Sequence, residues 1–171
     1  MTAHAPGGDP GRPSQRRIPW RALALGSAAV FLADQATKLA VVAALPLNAG
    51  RPVIPGFFDL VHVRNTGGAF SLLAGAPSPW RNLLFVALSL LAVGVILHVY
   101  RKAGDALLRA GLALVLGGAL GNLLDRLRLG EVVDFLALHY GAFHWPAFNV
   151  ADSAITVGCA LLLVSALRPA R

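Results

Sequence analysis

Ala106–Leu124 reads ALLRAGLALVLGGALGNLL. Only Arg109 near its start and Asn122 near its end interrupt a run long enough to cross, as a helix, the roughly 30 Å of hydrocarbon in a bilayer. In lipid the backbone must satisfy its own N–H and C=O groups, so a stretch of this length reads as a helix rather than a strand. Working outward, three more stretches have the same character: about Trp20–Leu45, Asn82–Tyr100 and Phe148–Leu167. The composition agrees, with 56% of residues hydrophobic and 13% charged, against about 25% charged in an ordinary soluble domain. The reading is an all-α membrane protein with four transmembrane helices, and no repeat or compositional break divides residues 18–171, which form one domain.

The net charge of +7 comes from 15 Lys plus Arg against 8 Asp plus Glu. These cations flank the apolar runs, which points to anionic lipid and topology and excludes a nucleic-acid partner. Arg12, Arg16, Arg17, Arg21, Arg101, Lys102, Arg109, Arg168 and Arg171 lie on one side. Arg51, Arg64, Arg81, Arg126 and Arg128 lie on the other. The excess on the first side predicts that both termini are cytoplasmic. Residues 1–17, rich in Pro, Gly and charge, carry too little apolar surface to fold and read as a disordered cytoplasmic tail. The single cysteine, Cys159, lies in an apolar run, cannot form an intrachain disulfide and reads as a small filler.

Two loops lie on the outer side. Pro46–Pro79 is rich in Pro and Gly, but Val61 and Val63 alternate with polar neighbours and predict a small strand element on the outer face. Leu127–Ala147 carries Tyr140, Phe143 and Trp145, which suit the membrane interface, as do Trp20 and Trp80. His62, His98, His139 and His144 have no matching partners and are expected at interfacial or loop positions.

Ionisable groups inside a membrane are costly and mark function by default. Asp34 and Lys38 fall one turn apart in the outer half of the first span. Asn122, Asp125 and Arg126 fall at the outer end of the third, and Asn149 and Asp152 at the outer start of the fourth, while Asn65 and Asp134 belong to the outer loops. Residues distant in sequence thus converge on one depth. A proton or ion conduit would instead spread its charges across the bilayer, and the inner halves of the spans are almost free of them, Arg109 apart.

The chemistry on offer is narrow: no HExxH or HxxE pattern, no phosphate-cradling loop, and no base beside Ser153. Carboxylates remain. Two held close cannot both ionise, so one serves as acid and the other as base. Asp34 and Asp125 each have a cation nearby in sequence, Lys38 and Arg126, which favours ion pairing. Asp134 and Asp152 have none, and Asp152 lies in the first turn of a helix, where the macrodipole favours its charged form and the role of base.

The segments DQATK (Asp34–Lys38), NTGGAF (Asn65–Phe70), GGALGNLLDR (Gly117–Arg126), VVDF (Val132–Phe135) and FNVADS (Phe148–Ser153) resemble, in order and spacing, the motif set of bacterial lipoprotein signal peptidase, the type II signal peptidase. The resemblance implies an aspartic endopeptidase of the bacterial inner membrane, active at the outer face. It would remove the signal peptide from diacylglyceryl-modified prolipoproteins before the lipidated cysteine. Asp134 and Asp152 would be the catalytic pair. Asn65, Asn122, Arg126 and Asn149 would orient that pair and the substrate, with Asp34, Lys38, Gly67 and Asp125 in support. It also implies a β element and a peripheral helix on the outer face, membrane lipid around the protein, inhibition by cyclic peptides of the globomycin type, and no cofactor or metal.

Overall fold

The computed structural model describes residues 20–67 and 78–168. The expected tail, residues 1–17, lies outside them. In chain order the elements are α1 (Trp20–Ala44), β1 (Gly50–Ile54), β2 (Phe58–Asn65), α2 (Pro79–Tyr100), α3 (Ala106–Leu129), β3 (Val132–Tyr140), β4 (Phe143–His144) and α4 (Val150–Ala166). Three helices, α1, α2 and α3, are long and apolar enough to cross a membrane. α4 has 17 residues, or roughly 26 Å at ~1.5 Å per residue.

Each helix starts and stops for a local reason. Pro79 suits the first turn of α2, where its missing N–H costs nothing, so α2 begins before the apolar run that predicts it. The Asp105 carboxylate caps α3 by accepting from the Leu108 N–H at 2.9 Å. α3 runs past Leu124 to Leu129, beyond its apolar stretch, because the helical bonds continue through Asp125 and Arg126. It ends at Gly130, whose φ of 75° is the left-handed cap that glycine adopts without strain.

α3 is the hub, and α1, α2 and α4 each pack against it. Small residues make that possible. A Cβ on Gly118 would run into the carbonyl oxygen of Ala151 on α4, and one on Gly117 would approach the Ser27 carbonyl of α1 to 2.6 Å. Close helix approach through such positions is the usual way membrane helices associate. Near the start of α1, Leu23, Ile96, Tyr100, Leu112 and Leu116 form a tight apolar cluster. On α2 many large apolar side chains point outward: Leu83, Leu88, Leu91 and Val95 are all exposed.

The strand element is larger than the sequence predicts. β1, β2, β3 and β4 form one small four-stranded antiparallel sheet in that order beside the helices. Ile54–Phe57 is a turn with Pro55 second and Gly56 third, Gly56 at φ 78°, closed by Phe57 N–H to Ile54 carbonyl at 3.0 Å. β3 arises within the segment expected only to supply interfacial aromatics, and it pairs with β2 through Val63↔Asp134, Arg64↔Val133 and Asn65↔Val132. His62 is buried in β2, not interfacial, and its Nδ1 lies 2.9 Å from the Leu45 carbonyl, tying the sheet to the end of α1. The peripheral helix expected in Pro46–Pro79 is absent from residues 46–67, which form turns and strands, and residues 68–77 lie outside the described part.

Candidate functional site

Register places the polar residues. Period-two alternation puts Asn65 and Asp134 on one face of the β2–β3 pair. Asn65 Nδ2 donates to Asp134 Oδ2 at 2.9 Å, and Asn65 Oδ1 accepts from the Gly67 N–H at 2.9 Å, so a turn holds the amide that holds the carboxylate.

α4 is delivered to the same place by its lead-in. Phe148 bridges to Leu136 of β3 and accepts from the Phe135 and Leu136 N–H groups. Asn149 follows as the N-cap of a capping box: its Oδ1 accepts from the Asp152 N–H at 2.9 Å, while its own N–H reaches Asp152 Oδ2 at 3.3 Å. The Nδ2 of the same fully buried Asn149 donates to Asp134 Oδ1 at 2.7 Å. One asparagine therefore spans the two aspartates. Asn122 of α3 completes the frame, donating to Asp152 Oδ1 at 2.8 Å.

Behind these amides sits a charged cluster. Lys38 Nζ lies 2.8 Å from Asp34 Oδ2, 2.8 Å from Asp125 Oδ2 and 2.9 Å from Asn122 Oδ1. Asp34 accepts from the Ala151 N–H at 2.9 Å, which ties α1 to the start of α4. Asp125 accepts from the Val133 N–H at 3.1 Å, which ties α3 to β3. All three charged residues are buried. The expected Asp34–Lys38 pair thus forms, but the cation expected for Asp125 was its neighbour Arg126, and the structure gives it Lys38 instead. Arg126, one residue on, points elsewhere on the helix: it donates to the Gly67 carbonyl at 3.1 Å and stacks over the Phe85 ring at 5.0 Å.

The sequence reading missed Gln35. It is buried, and its Nε2 lies within 3.2 Å of Asp34, Asp125 and the Gly121 carbonyl, joining α1 to α3. A second amide inside an apolar run, next to Asp34, was the signal available. A Cβ on Gly121 would collide with the Asp34 carboxylate.

The two carboxylate groups differ electrostatically. Burial, and next the charge of Asp152, push Asp134 up to about 7, while the amides of Asn65 and Asn149 pull it back down. Among the described residues neither Asp134 nor Asp152 is ion-paired to a cation. Such a pair can hold one proton near neutrality, which is what acid–base work on an amide requires.

An apolar helical bundle with two amide-bonded carboxylates at one end has structural company. Two solved chains, both described as bacterial membrane enzymes, share this fold. One matches with a TM-score of 0.76 at 28% identity over 85% of this chain and 87% of its own. The other matches with a TM-score of 0.73 at 28% identity over 86% and 94%. Fold and site define a membrane enzyme. The family model described as signal peptidase (SPase) II matches residues 27–168. The lipoprotein signal peptidase of Syntrophus aciditrophicus (strain SB) is 47% identical over 81% of this chain and 88% of its own length. That of Geobacter sulfurreducens is 48% identical over 89% and 93%, and that of Paraburkholderia phymatum 46% identical over 90% of each. The chain belongs to the signal peptidase II family and is a protease that removes signal peptides from prolipoproteins.

Proposed function

We propose that Asp134 and Asp152 are the catalytic dyad of this protease, cutting diacylglyceryl-modified prolipoproteins on the N-terminal side of the lipidated cysteine. The observation that carries the reading is the bridge through Asn149, which bonds Asp134 through its side chain and Asp152 through its cap. It holds two carboxylates in one frame without neutralising either.

The chemistry follows from one shared proton. The Asp152 carboxylate takes a proton from water as the water oxygen bonds to the scissile carbonyl carbon. Protonated Asp134 gives its proton to the carbonyl oxygen, leaving a gem-diol. Asp134 then reclaims a proton from that diol while Asp152 passes its own to the amide nitrogen, and the C–N bond breaks. The products are a signal peptide with a free carboxyl end and a lipoprotein whose cysteine carries a free amine. Asn65 and Asn149 aim Asp134, Asn122 aims Asp152, and Arg126 holds the Gly67 turn that positions Asn65. Asp34, Lys38 and Asp125 brace α1, α3, β3 and α4 around them.

α4 is read as a fourth span, since 17 residues is at the short end of what crosses a bilayer. The orientation puts both termini in the cytoplasm, the site at the outer face of the inner membrane, and residues 18–171 in one domain after a cytoplasmic tail. Cyclic peptides of the globomycin type would occupy the dyad's cleft, with membrane lipid around the helices. The test is a gel-shift assay with purified protein and a diacylglyceryl-modified prolipoprotein. Wild type should convert the substrate and Asp152→Asn should not, at equal expression and membrane insertion. Conversion by Asp152→Asn at a near-normal rate would remove Asp152 from the chemistry.

A further inference from the structure

The β2–β3 pair has a second face. Asn65 and Asp134 occupy one side, and Arg64 with its cross-strand partner Val133 occupies the other. There they close a crevice of about 70 Å³ against α1 and the end of α3. The space admits a few water-sized groups and no acyl chain.

Its lining is unbalanced in charge. Lys38, Arg64 and Arg128 face it with one carboxylate, Asp125. That carboxylate is fully engaged: Oδ1 accepts from Gln35, and Oδ2 takes Lys38 and the Val133 N–H. Among the described residues Arg64 and Arg128 have no ion-pair partner. Arg64 Nε is buried and has no acceptor. A buried donor left unmatched costs free energy that an incoming acceptor would recover. The rim is the opposite of the floor. Leu39, Val42 and Leu129 also line the crevice and are 56%, 40% and 40% exposed on α1 and α3. Cationic groups with an unmet donor, set directly beside exposed apolar side chains at the end of a membrane helix, suit an amphiphile with an anionic head.

We propose that this crevice binds the phosphodiester of an anionic phospholipid, its oxygens taken by Arg64 and Arg128 and its chains lying along Leu39, Val42 and Leu129. Guanidinium groups match phosphate oxygens in geometry as well as charge. The occupant is distinct from the proposed substrate's lipid, since a diacylglyceryl group carries no phosphate and no charge. It is held on the sheet face turned away from Asp134, so it would brace the β2–β3 register without entering the cleavage chemistry.

The test uses the full chain in uncharged detergent, with native mass spectrometry counting retained phosphatidylglycerol. Wild type should retain it at least about tenfold more firmly than the double variant Arg64→Gln/Arg128→Gln. Arg128→Gln alone, at an exposed position that folding tolerates, should lose about threefold or more. Diacylglycerol with the same chains should not be retained, and equimolar inorganic phosphate should not displace phosphatidylglycerol. Both variants should cleave prolipoprotein in lipid-free detergent at the wild-type rate. Equal phosphatidylglycerol retention by wild type and variants would overturn the proposal. So would equal retention of diacylglycerol, or displacement by inorganic phosphate.

Discussion

Two pairs of aspartates lie side by side at one end of this bundle, and they are treated in opposite ways. Asp34 and Asp125 share Lys38, with 2.8 Å to each. Asp134 and Asp152 are bonded to amides: Asn65 and Asn149 for the first, Asn122 and Asn149 for the second. A cation at ion-pair distance ties a carboxylate into the packing and makes it a strut. An amide orients a carboxylate without pairing its charge. With Asp134 and Asp152 as the proposed dyad, the protein separates the holding of its elements from the chemistry by choice of partner, with Asn122 the link between the two, since its Oδ1 accepts from Lys38 and its Nδ2 donates to Asp152.

The strongest way to break the comparison is to remove the shared cation. Lys38→Met leaves two buried carboxylates without compensation and should cost about 3–5 kcal/mol of stability, read as a large fall in melting temperature in detergent. An unchanged melting temperature would mean that the charged cluster is not a strut. Next in size, Asn149→Ala removes both a helix cap and the bridge. Loss of the cap should cost about 1–2 kcal/mol, and cleavage should fall by about tenfold or more, because each carboxylate then keeps only one of its two asparagine partners. A variant with the stability loss and full turnover would separate the cap from the bridge.

The smallest effect sharpens the electrostatics. Asp134 in the native protein is raised to about 7 from an ordinary value of 3.8, so the proton that the proposed mechanism uses is present below about 7 and lost above it. The kcat/KM for prolipoprotein should therefore fall as pH rises through about 7, approaching tenfold per pH unit on the alkaline side. The same shift has a stability consequence. Between 3.8 and about 7 the native state holds a proton that the unfolded chain has released, so this group's contribution to stability declines as pH rises across that window. A flat profile from pH 6 to 9 would place the working proton on another group.

Much of this was legible in the chain. All four apolar stretches became helices within a few residues of the expected ends, and the polar residues gathered at one end as their positions implied. What local pattern could not supply was long-range pairing. VVDFLALHY reads as an apolar run with no period of its own, and it becomes β3 because β2, far away in the chain, meets it edge to edge. Asp125 sits beside Arg126 in sequence, yet successive residues on a helix point about 100° apart, and the cation it meets comes from α1. Gln35 went unread for the same reason, since its three acceptors only assemble when α1 and α3 pack.

Asp134 joins the sheet to the proposed dyad and is raised to about 7, close to neutrality. The most direct measurement is cleavage of a diacylglyceryl-modified prolipoprotein by Asp134→Asn, with the melting temperature of the same preparation measured beside it. The predicted result is a loss of turnover of at least about a hundredfold in a protein that melts near the wild-type temperature. Turnover within a few fold of wild type would contradict the account and move the chemistry away from this pair.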